Sequence, residues 1–129
     1  MYNLKKVNEL KLEYEKENNC TYDLCLKCRA DALWHTPITE TELNRAKIDE
    51  NILCPTAWDF KSINKFGVSD TSALCNSETM NKYSSFIDHV DQYFDEGNVF
   101  HPETYNGIHI DRMGLITINN IVKINFLSD

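Results

Sequence analysis

The sequence predicts an α+β fold, with N-terminal and central helices packed on a C-terminal antiparallel β-meander. Two periodicities carry that reading. Up to about residue 100, apolar residues recur at three- and four-residue spacing, with capping residues at the helix starts. After Pro102 the period shortens to two, with turn residues between the runs. Helices first and alternating segments last make an α+β arrangement. At 129 residues the chain has one domain's length, so residues 1–129 are read as a single globular domain. That size buries a core without disulfide or metal staples, and no repeat, low-complexity tract or linker interrupts it.

A first helix is predicted over residues 2–18, its stripe formed by Leu4, Val7, Leu10 and Tyr14, with Asn18 and Asn19 ending it. A strand follows from Cys20 to Cys28, where Tyr22, Leu24 and Leu26 alternate with Thr21, Asp23 and Cys25. Ala30 to His35 reads as a turn or short helix. Thr39 is an N-cap whose capping box closes with Glu42, and Ile38 can staple onto Leu43, so a helix is expected to run to about Asn51. A second short helix is expected from Thr56 to Phe66, with Asp59 in its first turn and Gly67 beyond its end. The clearest element is a helix over Ser77–Glu96, with Met80, Tyr83, Phe86, Ile87, Val90, Tyr93 and Phe94 as one stripe and Gly97 as its stop. Ile108 and Ile110 then alternate with His109 and Asp111, giving the first strand of the meander. Asp111–Gly114 makes a turn, Leu115–Ile118 the return strand, Asn119–Asn120 a second turn and Ile121–Leu127 the third strand.

Composition bounds the function. With 42% hydrophobic and 26% charged residues and a net charge of −7, the chain reads as a soluble, cytoplasmic protein. It lacks the basic footprint of a direct nucleic-acid binder. The segment MYNLKKVNELKLEYEKENN is charged throughout, unlike a signal peptide, and no apolar run is long enough to span a membrane. The sequon Asn19-Cys20-Thr21 therefore carries no weight. Five cysteines, an odd number, fit free thiols in a reducing compartment. Abundant asparagine is a codon-level hint of an AT-rich genome, such as that of a low-GC bacterium or its phage.

Three cysteines and a histidine crowd the segment CTYDLCLKCRADALWH. Cys25 and Cys28 have the spacing of a zinc knuckle, with His35 and Cys54 as the remaining ligands. The second knuckle of a strong zinc site is missing, and Arg29 stands where a small residue is usual. A redox dithiol would need a surrounding β-α-β unit, which the order of elements does not supply. Cys20 and Cys28 on the buried face of a strand, as small hydrophobes, is the favoured reading. No cofactor is expected, a structural zinc being the alternative. His109-Ile110-Asp111 cannot begin a two-histidine-one-carboxylate iron site, because no histidine follows. His89, His101 and His109 with Asp88 or Asp111 form a scattered set, short of a metal-site signature. No G-x-S-x-G, glycine-rich phosphate loop or H-E-x-x-H occurs. The residues six past each cysteine, Leu26, Asp31, Trp34, Phe60 and Asn81, exclude a phosphatase loop.

Charge placement is the remaining signal. From Glu78 to Asp111 lie Glu78, Asp88, Asp91, Asp95, Glu96, Glu103 and Asp111 against Lys82 alone. Asp88, Asp91 and Asp95 share a helix flank, where their mutual repulsion is relieved by a basic partner. The expected function is that of a small acidic, non-enzymatic inhibitor, monomeric or weakly dimeric. Asp88, Asp91, Asp95 and Glu96 would block a basic, nucleic-acid-handling surface of a larger protein, as toxin-immunity and phage anti-defence proteins do. A metal-dependent hydrolase or nuclease using His89, His101, His109 and Asp111 is the alternative, and a zinc-stabilised interaction module the third reading.

Overall fold

A computed structural model describes residues 2–34, 37–55, 70–98, 100–120 and 124–126. The elements run α1 (Tyr2–Glu17), β1 (Cys25–Cys28), β2 (Ala32–Trp34), α2 (Glu40–Ala46), β3 (Asn51–Pro55), β4 (Ser72–Cys75), α3 (Ser77–Ser84), a 3₁₀ turn (Ser85–Asp88), α4 (Val90–Asp95), α5 (Pro102–Arg112), β5 (Ile116–Asn120) and β6 (Ile124–Phe126). A four-stranded sheet has the order β1-β4-β3-β5, and β2 and β6 form a separate antiparallel pair.

The fold is mixed α and β, but the expected C-terminal meander is not formed. Residues 108–112 belong to α5, which begins at Pro102, where a missing N–H and a preset φ suit the first turn. Tyr105, Asn106, His109 and Ile110 are buried there, a helical rather than an alternating set. β5 then pairs in parallel with β3, with Ile52 opposite Thr117 and Leu53 opposite Ile118. β6 pairs with β2, where a turn or short helix was expected, so the last strands are separated rather than adjacent. The expected helix over Thr56–Phe66 lies outside the described residues.

The sheet has two apolar faces. Ile52, Cys54, Ala73 and Cys75 face Met80, Tyr83, Ile110 and Leu115 on one side. Leu53, Leu74 and Ile118 face Ala46 on the other, with Leu24, Ile38 and Leu43 packed around them. The central strand β4 is buried along its whole length. α2 starts as the sequence predicts, on the Thr39–Glu42 capping box, but stops at Ala46 because Asn51 already enters β3, after Glu50 turns the chain at φ 71°.

The long acidic helix is interrupted. His109 Nε2 reaches the carbonyls of Lys82 (3.0 Å) and Tyr83 (3.1 Å) at the end of α3, adding one shared N–H to the Ser85 amide and hydroxyl that already donate to Lys82. Asn76 caps the start of α3, and Gly97, at φ 84°, follows α4.

α1 departs from its predicted stripe. Val7 and Leu10 are 62% and 63% exposed, and Tyr14 is half exposed. A polar row faces α3 instead. Lys11 donates to Ser77 O (2.8 Å), Ser77 Oγ (2.7 Å) and Asn81 Oδ1 (2.9 Å). Asn8 Nδ2 donates to the same Asn81 oxygen (3.1 Å). Glu15 is buried and accepts from Ser77 Oγ (2.8 Å) and the Tyr22 amide (2.9 Å).

Candidate functional site

The acidic group is placed by the turn at Ser85–Asp88 and by α4. Tyr93 points inward from α4 and is buried, so Asp91, Phe94 and Asp95 are left on the outside. Phe94, read from the sequence as part of the buried stripe, is 60% exposed. The two adjacent rings leave the helix about 100° apart, and Tyr93 is the one turned to the core. Phe100, just after the helix, is 71% exposed, with its ring edge-on to Tyr105.

The four carboxylates differ in their surroundings. Asp88 pairs with Lys5 of α1 at 2.7 Å. Glu96 is held bidentately by Arg112, at 3.1 and 2.7 Å. The Arg112 bonds bring the Glu96 carboxyl below its ordinary pKa, with Gln92 assisting, and outweigh its small loss of hydration. Asp91 and Asp95 make no ion pair among the described residues. The helix break leaves these two, four residues apart, as the continuous acidic edge.

Of the proposed zinc ligands, the three described ones, Cys25, Cys28 and Cys54, are not gathered. Cys25 and Cys28 stand three apart on extended β1, so their side chains leave opposite faces of the sheet. Cys25 faces the core and Cys28 is exposed, which reverses the expected alternation; Leu26 is also half exposed and Cys20 is exposed. The reason is register: Cys25 is opposite Cys75, whose side belongs to the larger core cluster. Cys54 shares that face but lies on β3, with β4 between it and Cys25, about 10 Å away across two inter-strand spacings. His35 lies outside the described residues. Among the described residues no three His, Cys, Asp or Glu side chains are grouped as a metal site groups them. All five thiols are unpaired. Burial pushes the Cys54 thiol up to about 12, and raises Cys75 and Cys25 as well. These three are neutral small hydrophobes at physiological pH.

Of the histidines of the hydrolase alternative, the structure brings His89 and His109 together, with ring centroids 5.6 Å apart. His109 is fully buried. Its Nε2 faces two carbonyls, which only accept, so that nitrogen carries the proton and Nδ1 accepts from the Tyr93 hydroxyl at 2.9 Å. Burial lowers its pKa, and His89 adds to the effect, against the opposing pull of the carbonyls. With both nitrogens used, His109 has no lone pair left for a metal. His89 stacks on Tyr93 with centroids 6.1 Å apart. His101 instead meets Glu103 at 3.3 Å, and Asp111 is exposed on α5.

A cavity of about 560 Å³ lies between α1 and the edge strand β1. Leu4, Val7, Leu24 and Met80 give it apolar walls, and Lys27 lines it from β1, its ammonium donating to the Asp70 carbonyl. Asn8 Oδ1 and Ser84 Oγ, on its helix side, are buried without hydrogen-bond partners. The sequence offered no signal for this site beyond the alternation of Cys25 and Lys27, which only the register with β4 turns inward.

Comparison with protein-family models, with curated proteins and with solved structures finds no match to this chain. No helix among the described residues is long and apolar enough to cross a membrane.

Proposed function

We propose that this is a small non-enzymatic inhibitor that binds a basic, nucleic-acid-handling surface of a larger protein. Toxin-immunity and phage anti-defence proteins are the functional classes that fit, acting in the cytoplasm as a monomer or weak dimer. One observation carries the reading. α4 exposes Phe94 between Asp91 and Asp95, which have no basic partner among the described residues. An unpaired acidic edge steers a basic surface toward it, and an exposed aromatic is the side chain most suited to anchor the contact. Asp88 and Glu96, each engaged by a basic side chain of this chain, contribute to the field around that edge rather than to direct contact.

The test begins with the partner captured from the native cell, and measures its association rate with the intact protein at several salt concentrations. Asp91→Asn with Asp95→Asn should slow association and flatten its salt dependence, and Phe94→Ala should speed dissociation. Nucleic acid bound by that partner should be displaced. A partner that binds both variants with unchanged rates and unchanged salt slope, or binds nucleic acid and this protein together, removes the reading.

A further inference from the structure

We propose that the cavity between α1 and β1 binds a small anionic amphiphile, a carboxylate carried on an apolar chain, taken up from solution. Its volume, about 560 Å³, falls within the range of sites that enclose a drug-sized ligand, roughly 300–1,000 Å³. The walls supply the apolar component: Leu4 and Val7 from α1, Leu24 from the approach to β1, and Met80 from α3.

The charge of the lining selects the head group. The protein carries a net charge of −7, yet among the described residues no carboxylate lines this cavity, while Lys11 and Lys27 do. The lysines are not equivalent. Lys11 directs its three protons to Ser77 O, Ser77 Oγ and Asn81 Oδ1, and its charge is balanced by Glu15 at 3.9 Å. Lys27 donates to one backbone carbonyl, that of Asp70, and makes no ion pair among the described residues. It is part-buried on the strand, so its ammonium has lost water without gaining a carboxylate contact, although the Asp70 charge is near enough to be felt. A ligand carboxylate supplies that contact as a charge-assisted hydrogen bond. Ser84 Oγ, 2% exposed at the residue level and without a partner, has a proton to direct to a polar group of the ligand. Asn8 Oδ1 is fixed as an acceptor, because its amide nitrogen is committed to Asn81; it suits a hydroxyl on the ligand or a water beside it.

The experiment is a ¹⁵N–¹H NMR titration of the full chain with decanoate, decanol and decyltrimethylammonium, each below its micelle concentration. Decanoate should give saturable shifts confined to α1, β1 and the Met80–Ser84 turn of helix. It should bind about tenfold more tightly than decanol, the worth of one charge-assisted bond, and the cation should not bind. Lys27→Gln should erase the preference for decanoate over decanol. Val7→Trp, at an exposed position whose side chain borders the cavity, should weaken both ligands. The proposal is overturned by no saturable shifts with decanoate, by equal affinity for all three probes, or by shifts centred on Phe94 and Phe100 instead. Co-sedimentation with phosphatidylglycerol vesicles without binding of free decanoate also overturns it. The comparison of the three probes needs no variant, so it stands even where Lys27→Gln fails to fold.

Discussion

Two polar networks hold this molecule together, and they work in opposite ways. At the α1–α3 contact, Lys11, Glu15, Ser77 and Asn81 join charged and neutral groups in a largely buried seam. Around α5, Tyr93, His109 and the carbonyls of Lys82 and Tyr83 form an all-neutral chain inside an aromatic cluster with Phe86 and Tyr105. The first network turns polar residues inward and leaves Val7 and Leu10 outside. The second turns a histidine inward and lets a helix break. A polar side chain can thus define a buried face as firmly as an apolar one, provided every proton has an acceptor.

The comparison predicts unequal responses to mutation. His109→Ala should have the largest effect, about 3–4 kcal/mol of lost stability. It leaves the buried Tyr93 hydroxyl without its acceptor, removes the N–H shared by the Lys82 and Tyr83 carbonyls (Lys82 keeps the Ser85 amide and hydroxyl), and opens a cavity; denaturant unfolding measures it. Loss of less than about 1 kcal/mol would mean that water repairs the break and that His109 does not organise it. Glu15→Gln should cost about 1–2 kcal/mol, since the Ser77 hydroxyl and the Tyr22 amide keep a neutral acceptor but Lys11 loses its balancing charge. A cost equal to that of His109→Ala would erase the distinction between the charged and the neutral network.

The two networks should also fail at different pH. In the folded chain His109 resists protonation, whereas an unfolded imidazole takes a proton below about pH 6.5. The unfolded state then binds more protons, so stability falls as pH drops below that value. His109→Gln should flatten this limb of the stability curve. For Glu15, burial alone would raise the pKa, but the Ser77 and Tyr22 hydrogen bonds and the Lys11 charge together bring it below 4.5. Its contribution is present above about pH 4.5 and is lost as pH falls further. Urea midpoints measured across this range separate the two limbs, and a single transition shared by both variants would contradict the separation.

Smaller effects sharpen the same contrast. Thr39→Ala removes the capping box of α2 and should cost about 1 kcal/mol. Val7→Ser, on the outward apolar row, should change stability by no more than about 0.5 kcal/mol. A larger loss would place that row in the core and restore the stripe that the sequence suggests.

Sequence alone determined what depends on local chemistry. The capping box at Thr39–Glu42, the helix stop at Gly97 and the helical character of residues 2–17 all follow from near neighbours, and all are present. The concentration of acidic residues around α4 was equally legible, because charge is counted without knowing the fold. Tertiary structure decided which side of each element faces in. Leu4, Asn8, Lys11 and Glu15 have helical spacing just as Val7, Leu10 and Tyr14 do, and only the hydroxyl and amide groups of α3 select the polar row. Cys25 and Lys27 face the core because β1 pairs with β4 in one register, and a shift of one residue would have turned Leu26 and Cys28 inward. Ile108 and Ile110 suggested a strand over too few residues to outweigh Pro102 and the buried pair of Tyr105 and His109. The parallel pairing of β3 with β5 joins segments whose nearest ends are some sixty residues apart, a contact that no local period encodes.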